Sequence, residues 1–210
     1  MICLAYGPTA SGKSAWAEDR ACELACGAPL AYFATMRRGG GEAQARIEKH
    51  LAQRAGKDFV TYEVPTLMSL REAPVGRDTC VLLDDIGNLV ANEMFGETPV
   101  AAPQADAAEQ LAEETCRALL ELAGRVGGLV VVADAVGEAG WRGDEPTLSW
   151  IVCCGAVCCK LAAAADEVVE VRGGLAMQIR GDGASLLHNA NDGNAPTHQS
   201  RIEVGDAAFD

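Results

Sequence analysis

The chain has few basic residues for its size. Among its 210 residues, 17 are Lys or Arg and 30 are Asp or Glu, which gives a formal net charge of −13. A protein that coats nucleic acid needs an excess of Lys and Arg over its binding face, because these side chains neutralise phosphates. An anionic membrane surface attracts basic segments in the same way. The composition therefore argues against both partners, although net charge leaves room for a small local basic site.

Long apolar runs and a leader-like start are also missing. No stretch approaches the roughly 18 continuous apolar residues that span a bilayer. The apolar residues 2–6 are too few for a signal peptide, and no basic residues precede them. Nine cysteines, an odd number with several in predicted core elements, fit a reducing compartment better than a disulfide framework. We therefore expect a cytoplasmic protein without membrane insertion.

Four of the cysteines lie in one apolar segment, WIVCCGAVCCKLAAAA at 150–165. On a helix, Cys154 and Cys158 share a face at the spacing i, i+4, whereas Cys153 and Cys159 gain no second thiol there. Structural zinc usually takes C-x-x-C pairs on turns. We therefore predict a helix whose cysteines act as small core hydrophobes, with a metal site as the alternative.

Apolar strands alternate with helical patterns along most of the chain. Continuous apolar strands between helices are typical of a mostly parallel sheet covered on both faces. We predict strands at 2–6, 30–34, 59–63, 80–84, 129–133, 167–172 and 175–180, and helices at 14–26, 42–54, 86–95, 106–123 and 147–165. The last two strands, joined across Gly173-Gly174, form an antiparallel hairpin.

Residues 7–14 read GPTASGKS and match G-x-x-x-x-G-K-[ST], the phosphate-binding P-loop motif. The glycines let backbone N–H groups converge on a phosphate, and the following helix adds the positive end of its dipole. In this motif Lys13 reaches the β- and γ-phosphates, and Ser14 ligates Mg²⁺. The context is the required one, because an apolar strand precedes the motif and a helix follows it.

A P-loop also needs a carboxylate at the end of a neighbouring strand, which holds the Mg²⁺ shell. The segment CVLLDD at 80–85 offers Asp84 and Asp85. Either could serve, and the alternative is that one of them merely caps the following helix. We favour Asp84 as the metal-side residue, because it alternates with Leu82 along the strand.

A basic stretch covers residues 37–57, with six Lys or Arg against two Glu, and we expect it to form a small basic patch beside the phosphate loop. Arg46, His50 and Arg54 are spaced i, i+4, i+8 and form one row on the predicted helix. Neighbouring positive charge favours a neutral imidazole, which can attack phosphorus. We name His50 as a candidate nucleophile, with an ordinary solvated helix face as the alternative.

Several motifs, taken in order, resemble one family. They are the P-loop, AYFAT at 31–35, ARIEKH at 45–50, TYE at 61–63, LLDD at 82–85, VGEAG at 136–140 and LAAAADEV at 161–168. The set resembles the bifunctional adenosylcobinamide kinase / adenosylcobinamide-phosphate guanylyltransferases of cobalamin biosynthesis, over about residues 1–180. The RI-x-x-H helix and LAAAADEV carry most of the likeness, because many families share the P-loop.

The resemblance implies two reactions of one P-loop domain over 1–180, followed by a loosely held polar tail over 181–210. The first phosphorylates adenosylcobinamide with ATP or GTP. The second transfers GMP from GTP to adenosylcobinamide phosphate and releases pyrophosphate, through a guanylylated histidine that corresponds to His50. It also implies a trimer of RecA-like domains. The implied nucleotide contacts are Gly7, Pro8, Thr9, Ala10, Ser11, Gly12, Lys13, Ser14, Ala34, Thr35, Met36, Leu51, Ala52, Gln53, Arg54, Glu63 and Asp84.

Two other classes stay open. GPTASGKS also looks like the P-loop of tRNA dimethylallyltransferases, which are longer and carry an acidic segment after the second strand. Here TMRRGGG follows at 35–41, and the acidic charge suits tRNA poorly. The second alternative is a nucleotide-binding regulatory module without turnover. The intact Lys13, Ser14, Asp84 and His50 argue against it.

Overall fold

The computed structural model describes residues 1–37, 56–96, 105–137, 144–181 and 188–189. These residues form an eight-stranded sheet in the order β3-β2-β4-β5-β1-β6-β7-β8. The first six strands in that order run parallel to their neighbours. β7 is antiparallel to β6 and to the short β8. The predicted parallel sheet with a C-terminal antiparallel hairpin is therefore confirmed.

Helices lie between most of the strands, and two helices in succession lie between the fourth and fifth strands. The strands are β1 (Ile2–Gly7), β2 (Leu30–Ala34), β3 (Phe59–Glu63), β4 (Cys80–Asp84), β5 (Gly128–Asp134), β6 (Glu167–Arg172), β7 (Leu175–Arg180) and β8 (His188–Asn189). The described helices are α1 (Lys13–Ala25), α2 (Leu67–Glu72), α3 (Ile86–Phe95), α4 (Ala105–Arg125) and α5 (Glu145–Ala164). Five predicted strands and one helix match these bounds, and the other predicted elements that are described differ by one or two residues.

Both faces of the central strands are covered. Along β4 and β5, successive residues alternate between two buried clusters. Leu82 and Val130 pack with Trp16 and Ala21 of α1 on one face, while α3, α4 and α5 cover the other, where Leu83 lies. Successive residues of these strands point to opposite faces, and both faces are buried. Every residue therefore packs against apolar neighbours, which explains the continuous apolar runs.

Two short elements were not predicted. The six-residue α2 begins at Thr66, whose side chain accepts a hydrogen bond from the backbone N–H of Ser69. A helix this short shows too little apolar periodicity for a sequence pattern. β8 forms by pairing with β7, as Ala176 lies opposite His188, and its two residues carry no local strand signal. The predicted helix at 42–54 lies outside the described residues.

The cysteine-rich helix α5 is long and apolar enough to cross a membrane by length and composition, with a mean hydropathy of 1.7 over its best window. In the fold it contributes Cys153, Cys154, Val157 and Leu161 to the core. Its Trp150 indole N–H donates to the backbone carbonyl of Gly87 at the start of α3, over 3.0 Å. The predicted packing role of the two buried cysteines is confirmed, whereas Cys159 is exposed.

Candidate nucleotide site

The P-loop connects β1 to α1 at the carboxyl edge of the sheet. Its backbone turns through left-handed conformations at Ala10 (φ 60°) and Gly12 (φ 95°). Gly12 occupies the N-cap position of α1, and no side chain caps the helix there. The first N–H groups of α1 are thus left without a side-chain acceptor at the positive end of the helix dipole, an arrangement that favours an anion.

The β6–β7 hairpin supports the loop from one side. A Cβ atom added to Gly7 would lie 2.2 Å from the carbonyl oxygen of Val171, so no larger residue fits there without backbone movement. At the hairpin turn, the N–H of Gly174 donates to the carbonyl of Ser11 over 2.9 Å. The Ser11 hydroxyl is buried and has no hydrogen-bond partner among the described residues.

Lys13 lies beneath the loop rather than in solvent, with 6% of its surface exposed. Its ammonium group donates to the carbonyl of Pro8 over 3.3 Å and forms an ion pair with Asp134 at the end of β5. Asp134 was not among the predicted site residues. The available signal was a second apolar strand that ends in an acid, like β4. The sequence does not show, however, that β5 and β1 are neighbours in the sheet.

Asp84 and Asp85 leave β4 in different environments. Asp84 is half-buried, and its Oδ2 accepts a hydrogen bond from the Tyr32 hydroxyl over 2.9 Å. Asp85 is the N-cap of α3, where its Oδ1 accepts from the N–H of Asn88 over 2.7 Å. One of the two acids thus caps the helix, and the capping residue is Asp85.

The Asp85 carboxyl is 6% exposed. Burial, reinforced by the negative charge of Asp84 and, more weakly, of Asp134, raises the pKa of Asp85 to about 7. Desolvation and like charge both disfavour a carboxylate, and the Asn88 hydrogen bond offsets them only in part. Asp84, Asp134 and Lys13 therefore act electrostatically on Asp85 at one edge of the sheet. Among the described residues, no group of three or more acids, histidines or cysteines is arranged to hold a metal ion.

The other predicted nucleotide contacts that are described lie along the same edge. Ala34 at the end of β2 lies between Glu63 of β3 and Asp84 of β4 in the strand register. Thr35 is buried, and its hydroxyl bonds to the backbone of Asp84 and Asp85. Thr35 therefore holds β2 against β4. Of the predicted contacts, His50, Leu51, Ala52, Gln53 and Arg54 lie outside the described residues.

The end of the basic stretch differs from the expectation of a basic patch beside the phosphate loop. The Lys57 ammonium lies 3.0 Å from Glu18 Oε2 and 2.7 Å from Asp19 Oδ1, both on α1. These acids neutralise Lys57, so it does not add to a positive field at the P-loop. A sum of charges along one sequence stretch does not include the oppositely charged partners that other elements supply.

Comparisons with known proteins agree with this geometry. A family model described as cobinamide kinase / cobinamide phosphate guanyltransferase matches residues 3–179. No curated protein matches the sequence.

Two solved structures are similar to this chain, both at 12% sequence identity. The ATPase domain of G40P has a TM-score of 0.50, with 88% of this chain and 78% of that chain covered. The flagellar accessory protein FlaH from Methanocaldococcus jannaschii has a TM-score of 0.45, with 86% and 78% covered. The first supports the RecA-like P-loop fold. The match over nearly the whole chain is what identifies the protein: it belongs to the cobinamide kinase / cobinamide phosphate guanyltransferase family, the bifunctional, nucleotide-using enzymes of cobamide biosynthesis.

Proposed function

We propose that this enzyme phosphorylates adenosylcobinamide with ATP or GTP and then transfers GMP from GTP to adenosylcobinamide phosphate, giving adenosylcobinamide-GDP and pyrophosphate. The observation that carries the proposal is the buried Lys13 beneath an uncapped α1 N-terminus, on the sheet edge where Asp84 ends β4. Such a site suits a polyphosphate, because N–H groups and an ammonium bind the oxygens from one side.

The described residues divide the work of binding. Backbone N–H groups of residues 9–14 surround the phosphates, and Lys13 neutralises the charge that builds up on their oxygens during transfer. Ser14 and Asp84 are proposed to hold Mg²⁺. Their hydroxyl and carboxylate oxygens are the ligand type that this ion prefers. Bound there, Mg²⁺ would supply further neutralisation of the phosphate oxygens.

His50 is proposed as the nucleophile of the second reaction. Its imidazole nitrogen attacks the α-phosphorus of GTP, a P–N bond forms, and the bond to the pyrophosphate oxygen breaks. The phosphate oxygen of adenosylcobinamide phosphate then attacks the same phosphorus, and the P–N bond breaks. A covalent intermediate divides one difficult transfer into two easier steps.

The family resemblance supports further assignments. Ala34, Thr35, Met36 and Glu63, together with Leu51, Ala52, Gln53 and Arg54, are proposed to contact the guanine nucleotide. We also propose a homotrimer in the cytoplasm. The position of Ala34 and Glu63 on the P-loop edge of the sheet supports a nucleotide site there.

The overall reaction is tested with adenosylcobinamide and with GTP that is labelled at the α- or the γ-phosphorus. With the γ label, we expect labelled adenosylcobinamide phosphate; with the α label and the phosphorylated substrate, labelled adenosylcobinamide-GDP. The Lys13→Met variant should lose both products. Formation of neither product by the folded wild type would contradict the proposal, and formation of only the second would restrict it to guanylyl transfer.

A further inference from the structure

The contact between Lys13 and Asp134 places a carboxylate beside the lysine of the P-loop. The two side chains are mostly buried, with 8% and 21% of their surfaces exposed, and they form an ion pair. The same ammonium donates to the carbonyl of Pro8. In the described structure Lys13 is therefore held by a carboxylate at the position from which a P-loop lysine reaches phosphates.

The backbone that carries Asp134 is fixed. Asp134 lies opposite Gly7 in the parallel register of β1 and β5. Beyond it, the N–H of Ala135 donates to the carbonyl of Gly7, and that of Val136 to the carbonyl of Asp134, both over 2.8 Å. These backbone hydrogen bonds join the end of β5 to Gly7, the first residue of the P-loop. Asp134 therefore stays close to the site when Lys13 turns to a ligand.

We propose that Asp134 is a positioning residue that competes with nucleotide phosphates and with pyrophosphate for the ammonium of Lys13. In the empty site, Asp134 keeps the buried ammonium paired and oriented. When a polyphosphate binds, Lys13 exchanges this ion pair for phosphate oxygens, and the carboxylate remains nearby as a like charge. Part of the binding free energy is thereby lost to breaking the pair.

This competition assists turnover under the proposed function, on which it rests through the role of Lys13. Each transfer leaves an anionic product in the loop, either a nucleoside diphosphate or pyrophosphate. Recapture of Lys13 by Asp134 removes one counter-charge from that product. Asp134 should therefore lower the affinity of the loop for nucleoside triphosphates, nucleoside diphosphates and pyrophosphate, and its loss should slow product release.

The test is equilibrium binding of GTP and of inorganic pyrophosphate to the full chain, with variants Asp134→Asn and Asp134→Ala. Both variants should bind both ligands more tightly, with Kd lower by on the order of 3- to 10-fold, the range expected for one partly buried ion pair. A tighter complex cannot arise from partial unfolding. If Asp134→Ala lowers the folded fraction, Asp134→Ser replaces it.

A matched control separates competition from general charge. Glu170 lies on β6, on the other side of β1, opposite Tyr6 in the register, and its carboxylate contacts Arg172. Glu170→Gln removes the same charge and should change Kd by less than about twofold, as expected for a screened charge without contact to the ligand.

Three results would overturn the inference. The first is an unchanged or higher Kd in Asp134→Ala. The second is a gain confined to Asp134→Asn, which indicates a new bond from the amide to phosphate. The third is an equal gain in Glu170→Gln. Failure of the wild type to bind GTP at all would instead contradict the proposed nucleotide site.

Discussion

The Tyr32 hydroxyl donates a hydrogen bond to Oδ2 of Asp84 over 2.9 Å and so ties the end of β4 to its neighbour β2. Tyr32 is 5% exposed, and its ring packs edge-on against Phe59 with centroids 6.3 Å apart. A donor on such a rigid side chain orients the carboxylate. If Asp84 holds the metal shell, Tyr32 sets the direction of its ligand oxygens.

Removing this hydroxyl should therefore weaken the binding of metal-bound nucleotide. In Tyr32→Phe we expect the Kd for Mg²⁺-GTP to rise by about 3- to 10-fold, because partners of ligand residues typically affect metal affinity by this order or more. The Kd for GTP in EDTA should change little. Tyr62→Phe is the control, because it removes the same hydroxyl group from a ring that packs on Phe33. Equal effects with and without metal would separate Tyr32 from the metal site.

The close approach of Gly7 to β6 predicts a severe effect of one methyl group. In Gly7→Ala, the new Cβ would lie 2.2 Å from the Val171 carbonyl oxygen, so strand or loop must shift. We expect a loss of stability of about 1–3 kcal/mol, as for other overpacked sites, and loss of GTP binding. Chemical denaturation and equilibrium binding measure the two effects.

Gly155 provides the matched control for that substitution. It is an exposed glycine within α5, and nothing lies within 4 Å of an added Cβ atom. Gly155→Ala should stabilise the protein by roughly 0.5–1 kcal/mol, the helix preference of alanine over glycine. Destabilisation there would mean that a neighbour covers this face of α5.

Because Glu18 is fully buried, its ion pair with Lys57 should contribute more to stability than an ion pair on the surface. Lys57→Met leaves the Glu18 carboxylate buried without this partner, which should lower the free energy of unfolding by about 1–3 kcal/mol. Arg117→Met removes an exposed partner of Glu114 and should change it by less than about 0.5 kcal/mol. Urea denaturation compares the variants, and a Lys57→Met protein as stable as Arg117→Met would contradict the burial argument.

Asp85 predicts a pH dependence of stability in the metal-free protein. Its pKa is raised from 3.8 to about 7 by burial and by the Asp84 charge. Between these values the folded state binds more protons than the unfolded state, so the free energy of unfolding falls as the pH rises from about 4 to about 7. Below that window the contribution of Asp85 is constant, because both states are protonated.

The Asp85→Asn variant isolates this effect, since asparagine still caps a helix but does not titrate. The wild-type protein should lose stability relative to the variant as the pH rises through the window. Denaturation in EDTA at several pH values measures the difference. A difference that stays constant, or that changes in the opposite direction, would show that Asp85 is charged in the folded state.

The sheet could be predicted from the sequence because local signals coincide with tertiary environment. β4 is a continuous apolar run because both of its faces are buried, and it ends in Asp84 where the chain reaches the carboxyl edge. The P-loop could also be predicted, because its glycines and Lys13 have a fixed spacing. α2 lacked such a signal, because a capping box of Thr66 and Ser69 supports only six residues.

The contacts of the candidate site depend on which strands become neighbours. Lys13 meets Asp134 because β5 lies beside β1, although 121 positions separate the two residues. Lys57 meets Glu18 from a separation of 39 residues. Neither pair has a local pattern, so sequence reasoning missed the first and assigned the charge of the second to the phosphate site.

The central claim, guanylyl transfer through His50, is tested most directly by the covalent intermediate itself. The wild-type protein is incubated with Mg²⁺ and α-labelled GTP, and the stability and position of the protein-bound label are determined. The account predicts one label that is lost in acid, survives base, maps to the peptide containing His50 and is absent from a folded His50→Ala variant that still binds GTP. Absence of label on the wild type, or its persistence in His50→Ala, would contradict it.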